Sequence, residues 1–517
     1  MQKIYGICHE EAGGRRSLEF AIDQMGIPKA QDFHRALTDA RYTGDIFKTL
    51  EPAAVCVNSS IDVYQNPKNK KEEIIKIISE LVAVPSVCGV AEEGKPFGEK
   101  PYEALMLALE KAESFGFKTE NCDGYVGAVD LNGGEQELAV LAHLDVVPAG
   151  EGWETDPYTV VEKDGMIYGR GVSDDKGPAV AALYAMKTVK DLDLPVSKNC
   201  RLILGTDEEC GSGDLKYYFS KNPYPKYAFT PDANFPVTNG EKGRFTKRFY
   251  RSVDFSGCKK YIKSIKAGEA SNAVPAFAKA ELVGITKDKF DLAAKMAKGT
   301  KAEFTFDGKT VVCSGTSAHA SLPEKGNNPI TALLELLSYI DFDVECSAFV
   351  ADLKALFPHG KYNGEALGVD ISDMLGRLTL TLDIVDFENG RFEGCFDTRT
   401  PMKATRENCA DVIARKLAGH GFEIEDTEMR EAHYVDENSD FIKTLLRVYE
   451  KYSGDKGECI CMGGGTYVHD IENGVAFGAI SRDTVTNMHG ANEFMPIDDI
   501  LTCLLYTSPS PRDSTSS

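Results

Sequence analysis

The 517-residue sequence lacks the features of a nucleic-acid-binding or membrane-spanning protein. Its 58 Lys and Arg residues are outnumbered by 80 Asp and Glu residues, and the resulting net charge of −22 is spread along the chain. Because affinity for phosphate depends on a concentrated basic surface, a nucleic-acid partner is disfavoured. No apolar run approaches the ~18 residues that cross a bilayer, and the N-terminus lacks the charged-then-apolar pattern of a secretion signal. We therefore expect a cytoplasmic protein with no membrane partner.

The sequence also lacks the cysteine spacing of a structural zinc site. Its 14 cysteines are scattered, the nearest pair being Cys459 and Cys461, and the repeated C-x-x-C pattern is absent. Because disulfides are rare in chains that are not secreted, we expect these thiols to be reduced.

The two ends of the chain differ from its middle. His34 and Asp39 have the spacing of the last motif of DEDD-type 3′–5′ exonucleases, but no Asp-x-Glu precedes them. We interpret residues 1–65 as an extraneous or exonuclease-like fragment, so nuclease activity from this segment is one alternative. The polar run 66–71 is predicted to be a linker. Residues 503–517, which begin with CLLYTSPSPRD, resemble a translated sequencing adapter and are interpreted as an artefactual tail.

Between these ends, strand-like and helix-like patterns alternate. Apolar runs typical of buried strands occur at 138–142, 201–205 and 475–480. Apolar residues at helical spacing predict helices, among them 102–115 and 178–189. The alternation predicts an α/β fold, with a mostly parallel sheet and helices on both faces.

The pattern changes to shorter amphipathic segments between about Gly240 and His433. We predict a catalytic domain in two parts, 66–240 and 434–502, interrupted by an inserted α+β lid domain at 241–433. At roughly 190 residues, the insert is long enough for one large or two smaller units.

Acidic or imidazole side chains occur where predicted strands end and helices begin. They are His143 and Asp145, Asp174 and Asp175, Glu208 and Glu209, and Asp232. Because open α/β sheets place their chemistry at the carboxyl ends of strands, we expect these groups to lie close together. Clustered carboxylates repel one another unless cations offset the repulsion. Imidazole and carboxylate ligands suit Zn²⁺, with Co²⁺ or Mn²⁺ as alternatives, and two such cations would polarise one water from both sides.

The order of these motifs is similar to that of a di-zinc metallopeptidase family, which includes carboxypeptidase G, the ArgE and DapE deacylases and carnosinase. The closer resemblance is to PepV-like dipeptidases, through the runs TPDANFPVTNGEKG from Thr230, GGGTY from Gly463 and MHGANE from Met488. It covers about residues 70–502 and implies an α/β fold of the zinc-peptidase type.

The resemblance implies a ligand set for two Zn²⁺ ions. His143 and Asp232 would bind one ion, and Glu209 and His489 would bind the other. Asp174 would bridge the two.

Two further acidic residues have supporting roles in this resemblance. Asp145 would orient His143, because a carboxylate beside a ligating imidazole selects its tautomer. Glu208 would act as the general base, taking a proton from the water between the cations and passing it to the leaving amine. The peptide bond between Asp174 and Asp175 is cis in relatives.

The inserted domain would supply the substrate contacts. His319, in SAHA, resembles a lid histidine that stabilises the oxyanion. Asn272 and Arg399 match positions that bind the substrate carbonyl and the terminal carboxylate, and the guanidinium fork suits a carboxylate. Gly464 and Gly465 would let the backbone approach that carboxylate, with a plain tight turn as the alternative.

These features predict a zinc-dependent dipeptidase whose short peptide substrates are Xaa-Xaa dipeptides, with Xaa-His among the candidates. Alternatives are a deacylase of N-acyl amino acids or succinyl-diamines, and a non-catalytic metal-binding remnant. A lid of two units would supply His319 within one chain and favours a monomer. A lid of one unit would need the histidine of a homodimer partner.

Overall fold

The computed structural model describes most of the chain. It describes residues 67–191, 196–482 and 484–506. The exonuclease-like motif at His34 and Asp39, with the rest of the 1–65 fragment, lies outside the described residues. The tail from residue 507 onward lies outside them as well.

The described chain divides into two compact units. Unit 1 comprises the described residues up to Asn239, then Val435–Ile460, and those from Thr466 onward. Unit 2 comprises Gly240–Tyr434 together with Cys461–Gly465. The sequence predicts the last of these segments to be part of the catalytic domain, whereas the structure places it in the inserted unit.

Several helices begin where the sequence supplies a cap. In chain order, the helices of the described residues are α1 (Pro67–Val82), α2 (Glu99–Ser114), α3 (Lys176–Asp191), α4 (Gly213–Lys221), α5 (Lys287–Met296), α6 (Pro329–Leu337), α7 (Val344–Leu356), α8 (Asp411–Gly419), α9 (Asp440–Ser453) and α10 (Ile497–Tyr506). The Asn328 side chain accepts the first N–H groups of α6, and the Ser439 hydroxyl accepts the N–H of Ile442 in α9. Within the described ranges, no helix has both the length and the apolar character needed to cross a membrane.

Helices α1 and α10 extend across two predicted boundaries. The sequence predicts a linker at 66–71, but the structure has α1 beginning at Pro67. Proline is compatible with this position, since the first turn of a helix does not need its missing N–H. The predicted tail begins inside α10, which continues to Tyr506. Cys503 is buried in the apolar core of unit 1.

The strands form one large sheet in each unit and several small ones. In chain order, they are β1 (Lys118–Cys122), β2 (Val126–Asp130), β3 (Gln136–His143), β4 (Val161–Lys163), β5 (Met166–Tyr168), β6 (Asn199–Gly205), β7 (Tyr227–Thr230), β8 (Ala233–Asn234), β9 (Val237–Glu241), β10 (Gly243–Arg244), β11 (Lys247–Ser252), β12 (Tyr261–Ala267), β13 (Ala273–Val274), β14 (Phe277–Val283), β15 (Glu303–Phe306), β16 (Thr310–Ser314), β17 (Ala318–His319), β18 (Ser372–Asp373), β19 (Gly376–Arg377), β20 (Thr379–Glu388), β21 (Arg391–Thr400), β22 (Glu423–Ile424), β23 (His433–Tyr434), β24 (Cys459–Met462), β25 (Gly474–Ala476), β26 (Ala479–Ile480) and β27 (Phe494–Pro496).

The sheet of unit 1 runs in the order β1-β2-β6-β3-β7-β25-β9. Its central strands β6, β3, β7 and β25 are parallel, and antiparallel pairs flank them. The predicted α/β class is confirmed, with the parallel pairing at the centre of a mixed sheet. Because β6, β3 and β7 are parallel neighbours, their carboxyl ends lie at the same edge of the sheet.

Helices pack against both faces of this sheet. Along β3, Val140 and Ala142 belong to one apolar cluster with α1, α2 and α3, while Ala139 and Leu141 belong to a second cluster with α4. Successive residues of a strand point to opposite faces, so an unbroken apolar run marks a strand buried on both sides. Full burial of a Val or Leu side chain contributes about 1.5–3 kcal/mol to folding.

Unit 2 is built on an antiparallel sheet in the order β15-β16-β14-β12-β20-β21-β11-β22. In β14, Ala278, Ala280 and Leu282 are buried in a core that includes residues of α5, α6, α7 and α8, and the residues between them are more exposed. This alternation is typical of an antiparallel sheet with helices on one face. Unit 2 therefore has the α+β architecture predicted for the inserted domain.

Candidate active site

In unit 1 the structure brings five of the predicted site residues into one cluster. His143, Asp174 and Asp232 form one triad, and Asp174, Glu209 and His489 form another. Within each triad the candidate ligand atoms lie within 4.8 Å of one another. Asp174 belongs to both triads, so a shared carboxylate joins two sets of imidazole and carboxylate groups.

The distances within the cluster fit a pair of divalent cations. Asp174 Oδ1 lies 3.0 Å from His143 Nε2, and Asp174 Oδ2 lies 2.9 Å from His489 Nε2. Asp232 Oδ2 lies 3.8 Å from His143 Nε2, and Glu209 Oε1 lies 3.2 Å from His489 Nε2. Ligand atoms around a tetrahedral zinc with bonds of about 2.1 Å are about 3.4 Å apart, so these residues suit zinc in both number and spacing.

The parallel strands position three of these residues. His143 is the last residue of β3, Glu209 follows β6, and Asp232 follows β7. Asp174 lies in the loop before α3, and His489 lies in the loop before β27. The cluster therefore forms at the carboxyl edge of the sheet, where the sequence predicts it.

The residue after Asp174 supports the same arrangement. The peptide bond between Asp174 and Asp175 is cis, as the resemblance implies. The buried Asp175 carboxylate accepts the main-chain N–H of His143 at 3.1 Å. The loop before α3 is thereby attached to the end of β3.

Asp145 supports the cluster through both its main chain and its side chain. His143 Nδ1 lies 3.0 Å from the Asp145 carbonyl oxygen and 3.6 Å from its carboxylate, so the carbonyl is the nearer partner. A proton on Nδ1 directs Nε2 toward the other ligands. The Asp145 carboxylate accepts the main-chain N–H of Glu208 at 3.2 Å and that of Glu209 at 3.1 Å. One residue thus holds both the imidazole and the acidic loop.

Burial and mutual repulsion shift the pKa values in this cluster. Burial, with added repulsion from nearby carboxylates, raises the pKa of Glu208 and of Asp232 well above the usual range. Burial acts on Asp174 too, but hydrogen bonds with the two imidazoles outweigh it and hold its pKa below the usual range. Hydrogen bonds with Asp174 and then Glu209 raise the pKa of His489 to about 11. Bound cations would stabilise such a concentration of buried negative charge.

Glu493 is a site residue for which the sequence predicts no role. Its fully buried carboxylate accepts the main-chain N–H groups of Gly171 at 3.0 Å, Ser173 at 3.0 Å and Asp174 at 3.3 Å. Arg170 Nη1 donates to the same carboxylate at 2.7 Å. The loop that carries Asp174 is therefore held by a residue near the far end of the chain. Glu493 closes the MHGANE run, but the spacing does not show which loop its carboxylate reaches.

In unit 2, Asn272 immediately precedes β13, and His319 is the last residue of β17, the strand that pairs with β13. β13 and β17 pair so that Ala273 is opposite His319, and the Asn272 carbonyl accepts the N–H of Ala320 at 2.9 Å. His319 is exposed, and its Nδ1 accepts the N–H of Ser321 at 3.2 Å. In a neutral imidazole whose Nδ1 accepts this hydrogen bond, the ring proton is on Nε2.

Arg399, the third predicted substrate-binding residue, contacts the glycine run that begins at Gly463. Its Nε donates to Asp397 Oδ1 at 2.6 Å, and its Nη1 donates to the Gly463 carbonyl oxygen at 3.0 Å. A Cβ atom at position 463 would lie 2.6 Å from Ser321 Cβ, so the backbone approaches the strand of His319 closely enough to require glycine.

Gly464, the next glycine of this run, has more space around it. A Cβ atom at Gly464 would meet only the end of the Met462 side chain, at 3.2 Å, and Gly465 is exposed. The close approach seen at Gly463 is to Ser321, so the approach of this glycine run to the substrate carboxylate stays a prediction.

Comparisons with known proteins found related sequences and folds. Residues 139–507 match Peptidase family M20/M25/M40. The chain is 34% identical over 451 residues to the Beta-Ala-Xaa dipeptidase of Lactobacillus delbrueckii subsp. lactis, a match that covers 84% of this chain and 94% of that protein. Human carnosine dipeptidase 1 has a similar fold, with a TM-score of 0.55 at 16% identity over 89% of this chain and 99% of that chain. The dipeptidase Dug1p of Saccharomyces cerevisiae is also similar, with a TM-score of 0.53 at 15% identity over 87% of this chain and 97% of that chain.

Proposed function

This chain belongs to peptidase family M20/M25/M40, and we propose that it hydrolyses the peptide bond of Xaa-Xaa dipeptides with the help of two metal ions. It is a hydrolase of the metallopeptidase class. The observation that carries the proposal is the contact of Asp174 with both His143 and His489, at 3.0 and 2.9 Å. A carboxylate placed between two imidazoles can bridge two cations, each of which also has an imidazole ligand.

The two triads supply the proposed ligands. His143 and Asp232 bind one cation, Glu209 and His489 bind the other, and Asp174 bridges them. Nitrogen and carboxylate oxygen donors suit Zn²⁺, with Co²⁺ or Mn²⁺ as alternatives. When bound, such a pair of cations polarises the scissile carbonyl and lowers the pKa of water.

Glu208 is the proposed general base. Burial raises the pKa of its carboxyl group. A carboxylate with a raised pKa is a stronger base, so it is better suited to accept a proton and then return it. Glu208 takes the proton from the attacking water and then passes it to the leaving amine. The Asp145 carboxylate holds the main chain of Glu208 for this role.

The residues of unit 2 have the proposed substrate-binding roles. Arg399 binds the terminal carboxylate of the peptide through its guanidinium fork. His319, with its proton on Nε2, donates to the carbonyl oxygen as negative charge develops there, and Asn272 contacts the same carbonyl. The Gly463 carbonyl oxygen accepts a hydrogen bond from Arg399. A side chain at position 463 would collide with Ser321, so glycine is needed for the main chain to lie in this place.

The substrate class is tested with the purified full chain. Its similarity to a Beta-Ala-Xaa dipeptidase favours dipeptides over the deacylase substrates. We expect hydrolysis of Xaa-Xaa and Xaa-His dipeptides to exceed that of N-acetyl amino acids and N-succinyl-diamines, with the products quantified by chromatography. Faster turnover of the acylated compounds would overturn the dipeptidase assignment. A chelator is expected to abolish the activity, and Zn²⁺, Co²⁺ or Mn²⁺ to restore it.

The general base is tested by Glu208→Gln. We expect kcat to fall roughly 10²–10⁴-fold while the content of bound zinc stays unchanged, because the amide cannot accept the proton. Glu120→Gln, a change at an exposed position of β1, is the matched control and is expected to leave kcat unchanged. Unchanged kcat in Glu208→Gln would remove the assigned role. Absence of turnover in the wild-type chain loaded with metal would favour the non-catalytic alternative.

A further inference from the structure

A further cluster of metal-binding groups lies beside the two triads in unit 1. The Sγ atoms of Cys88 and Cys210 and a carboxylate oxygen of Asp207 lie within 4.8 Å of one another. The Cys88 thiol lies 3.7 Å from Asp207 Oδ1. We propose that these three residues form a third cation site, which takes a thiophilic divalent cation such as Zn²⁺.

The donor set and its spacing suit that cation. Two thiolates and one carboxylate are ligands that zinc accepts, and they leave a fourth position for water. With Zn–S bonds of about 2.3 Å and Zn–O bonds of about 2.1 Å, the sulfur and oxygen ligands of a tetrahedral site are about 3.6 Å apart. The observed 3.7 Å between Cys88 Sγ and Asp207 Oδ1 already matches this value.

These thiols differ from the core cysteines. Cys210 is exposed and Cys88 is partly exposed, so a cation can reach them from solvent, whereas Cys200 and Cys346 are buried. No disulfide bond joins cysteines in the part of the chain that the structure describes. Both sulfur atoms of the cluster are therefore available as ligands.

The carboxylate of the cluster has a fixed orientation. Asp207 is 5% exposed, and its Oδ2 accepts the N–H of Gly213 at 2.9 Å, which directs Oδ1 toward Cys88. The loop of Cys88 is held as well, since the N–H of Gly89 donates to the Phe97 carbonyl at 2.9 Å. Ligands held by such neighbouring contacts lose little freedom when a metal binds.

The position of the cluster in the chain distinguishes it from the dinuclear ligands. Asp207 and Cys210 flank Glu208 and Glu209, so the site shares a loop with the proposed base and one proposed ligand, but it uses none of the five ligands of the triads. The proposal does not rest on peptide hydrolysis, because the site is defined by sulfur atoms that the triads lack.

Cobalt spectroscopy tests the site directly. Co²⁺ is titrated into the full chain after dialysis against a chelator, and the near-ultraviolet spectrum is recorded. Thiolate ligation gives a sulfur-to-cobalt charge-transfer band, which imidazole and carboxylate ligands do not give. We expect the wild type to show this band and to bind one more equivalent of Co²⁺ than either Cys88→Ser or Cys210→Ser. Cys122→Ser, which changes a partly buried thiol at the end of β1, is the control and should keep the band.

Two results would overturn the proposal: a wild-type chain without the band, and a band that persists in both variants. A chain that shows the band yet hydrolyses no peptide would contradict the proposed function while leaving the third site intact. The two proposals therefore fail separately.

Alkylation of the wild-type chain gives a second test that needs no variant. Zn²⁺ is added before iodoacetamide, and the labelled peptides are quantified by mass spectrometry. With Zn²⁺ at about ten times its dissociation constant, labelling of Cys88 and Cys210 is expected to slow about tenfold, because only the unliganded fraction reacts. The exposed Cys461 serves as the reference. Equal rates with and without Zn²⁺ would contradict the site.

Discussion

The carboxylate of Asp145 accepts the main-chain N–H of Glu209 at a distance of 3.1 Å. The same carboxylate accepts the N–H of Glu208, while the Asp145 carbonyl oxygen contacts His143 Nδ1. One buried residue contacts both segments, with its carbonyl oxygen and with its carboxylate, because β3 and β6 are parallel neighbours whose carboxyl ends lie together. The position of a ligand on one strand is thereby coupled to that of a ligand on the next.

Replacing Asp145 by Asn is expected to weaken zinc binding about 10–100-fold, the usual effect of losing a residue that orients metal ligands. The amide keeps one acceptor oxygen, but its NH₂ group faces an N–H donor of the acidic loop. The dissociation constant is measured by competition with a chromophoric chelator. Asp130→Asn, which affects a partly buried ion pair with Arg201, is the control and should leave zinc affinity unchanged. Equal affinities for wild type and Asp145→Asn would contradict the role.

Replacing Glu493 by Gln is expected to lower the free energy of unfolding by about 3–5 kcal/mol, because it leaves the buried guanidinium of Arg170 without its charged partner. The side chains of this pair are at most 1% exposed, so water cannot replace the lost contact. Urea denaturation measures the change. The matched control is Glu135→Gln, which removes an exposed ion pair with Lys198 and should leave stability almost unchanged. Similar urea midpoints for the two variants would show that the buried pair is not needed.

Replacing Arg399 by Lys is expected to raise KM about tenfold for dipeptides with a free carboxylate, because the ammonium group cannot make the second of two parallel hydrogen bonds. The kcat value should change little, since the terminal carboxylate is not the reacting group. Dipeptides amidated at the C-terminus provide the control, and their KM should be alike for both proteins. An equal rise in KM for the free and the amidated substrates would argue against carboxylate binding by Arg399.

Asp383 in unit 2 is expected to make stability depend on pH. Burial, and then the neighbouring Asp397, raise the pKa of Asp383 to about 9. A contact with Thr381 lowers the pKa of Asp383 but does not offset these two effects. The unfolded chain releases this proton near pH 4, at about the ordinary pKa of an aspartate. Between the two pKa values the folded chain holds the extra proton, so the contribution of Asp383 to stability falls as pH rises from about 4 to about 9.

Asp383→Asn tests this dependence, because the amide has a similar shape and does not ionise. We expect a urea midpoint above that of the wild type at about pH 8.5, and a midpoint close to the wild type at about pH 5. Asp386→Asn, a change at an exposed position of the same strand β20, is the control and should leave the urea midpoint almost unchanged at both pH values. A constant difference between wild type and Asp383→Asn across this range would exclude the titration.

The secondary structure of unit 1 is largely predictable, because its strands are buried on both faces and give unbroken apolar runs. The run at 138–142 lies within β3, and the run at 201–205 lies within β6. The run at 475–480 is predicted as one strand, but the structure divides it into β25 and β26. Gly478 lies between them with a φ of 85°, a left-handed conformation that interrupts a strand. Apolar composition alone does not reveal this break.

The site is less predictable than the strands. The acidic groups at the strand ends can be found from the sequence, but the resemblance supplied the pairing of ligands into two sets and the assignment of His489. The sequence does not show which groups the Glu493 carboxylate contacts, because Gly171 and Ser173 are more than three hundred positions away in the chain. The Asp145 carbonyl oxygen lies nearer to His143 Nδ1 than the Asp145 carboxylate does. This depends on the direction of the backbone, which the pattern of side chains in the sequence does not show.

The sequence by itself determined which side chains stand at the ends of buried strands and which cations their donors suit, because residue type and apolar periodicity depend only on neighbouring positions. The tertiary structure alone decided that Asp174 lies between two imidazoles and that Gly463 lies against Ser321, just after the strand of His319. The physical reason is that contacts between distant residues follow from the order and direction in which strands pair, and local hydrophobic patterns do not specify that order.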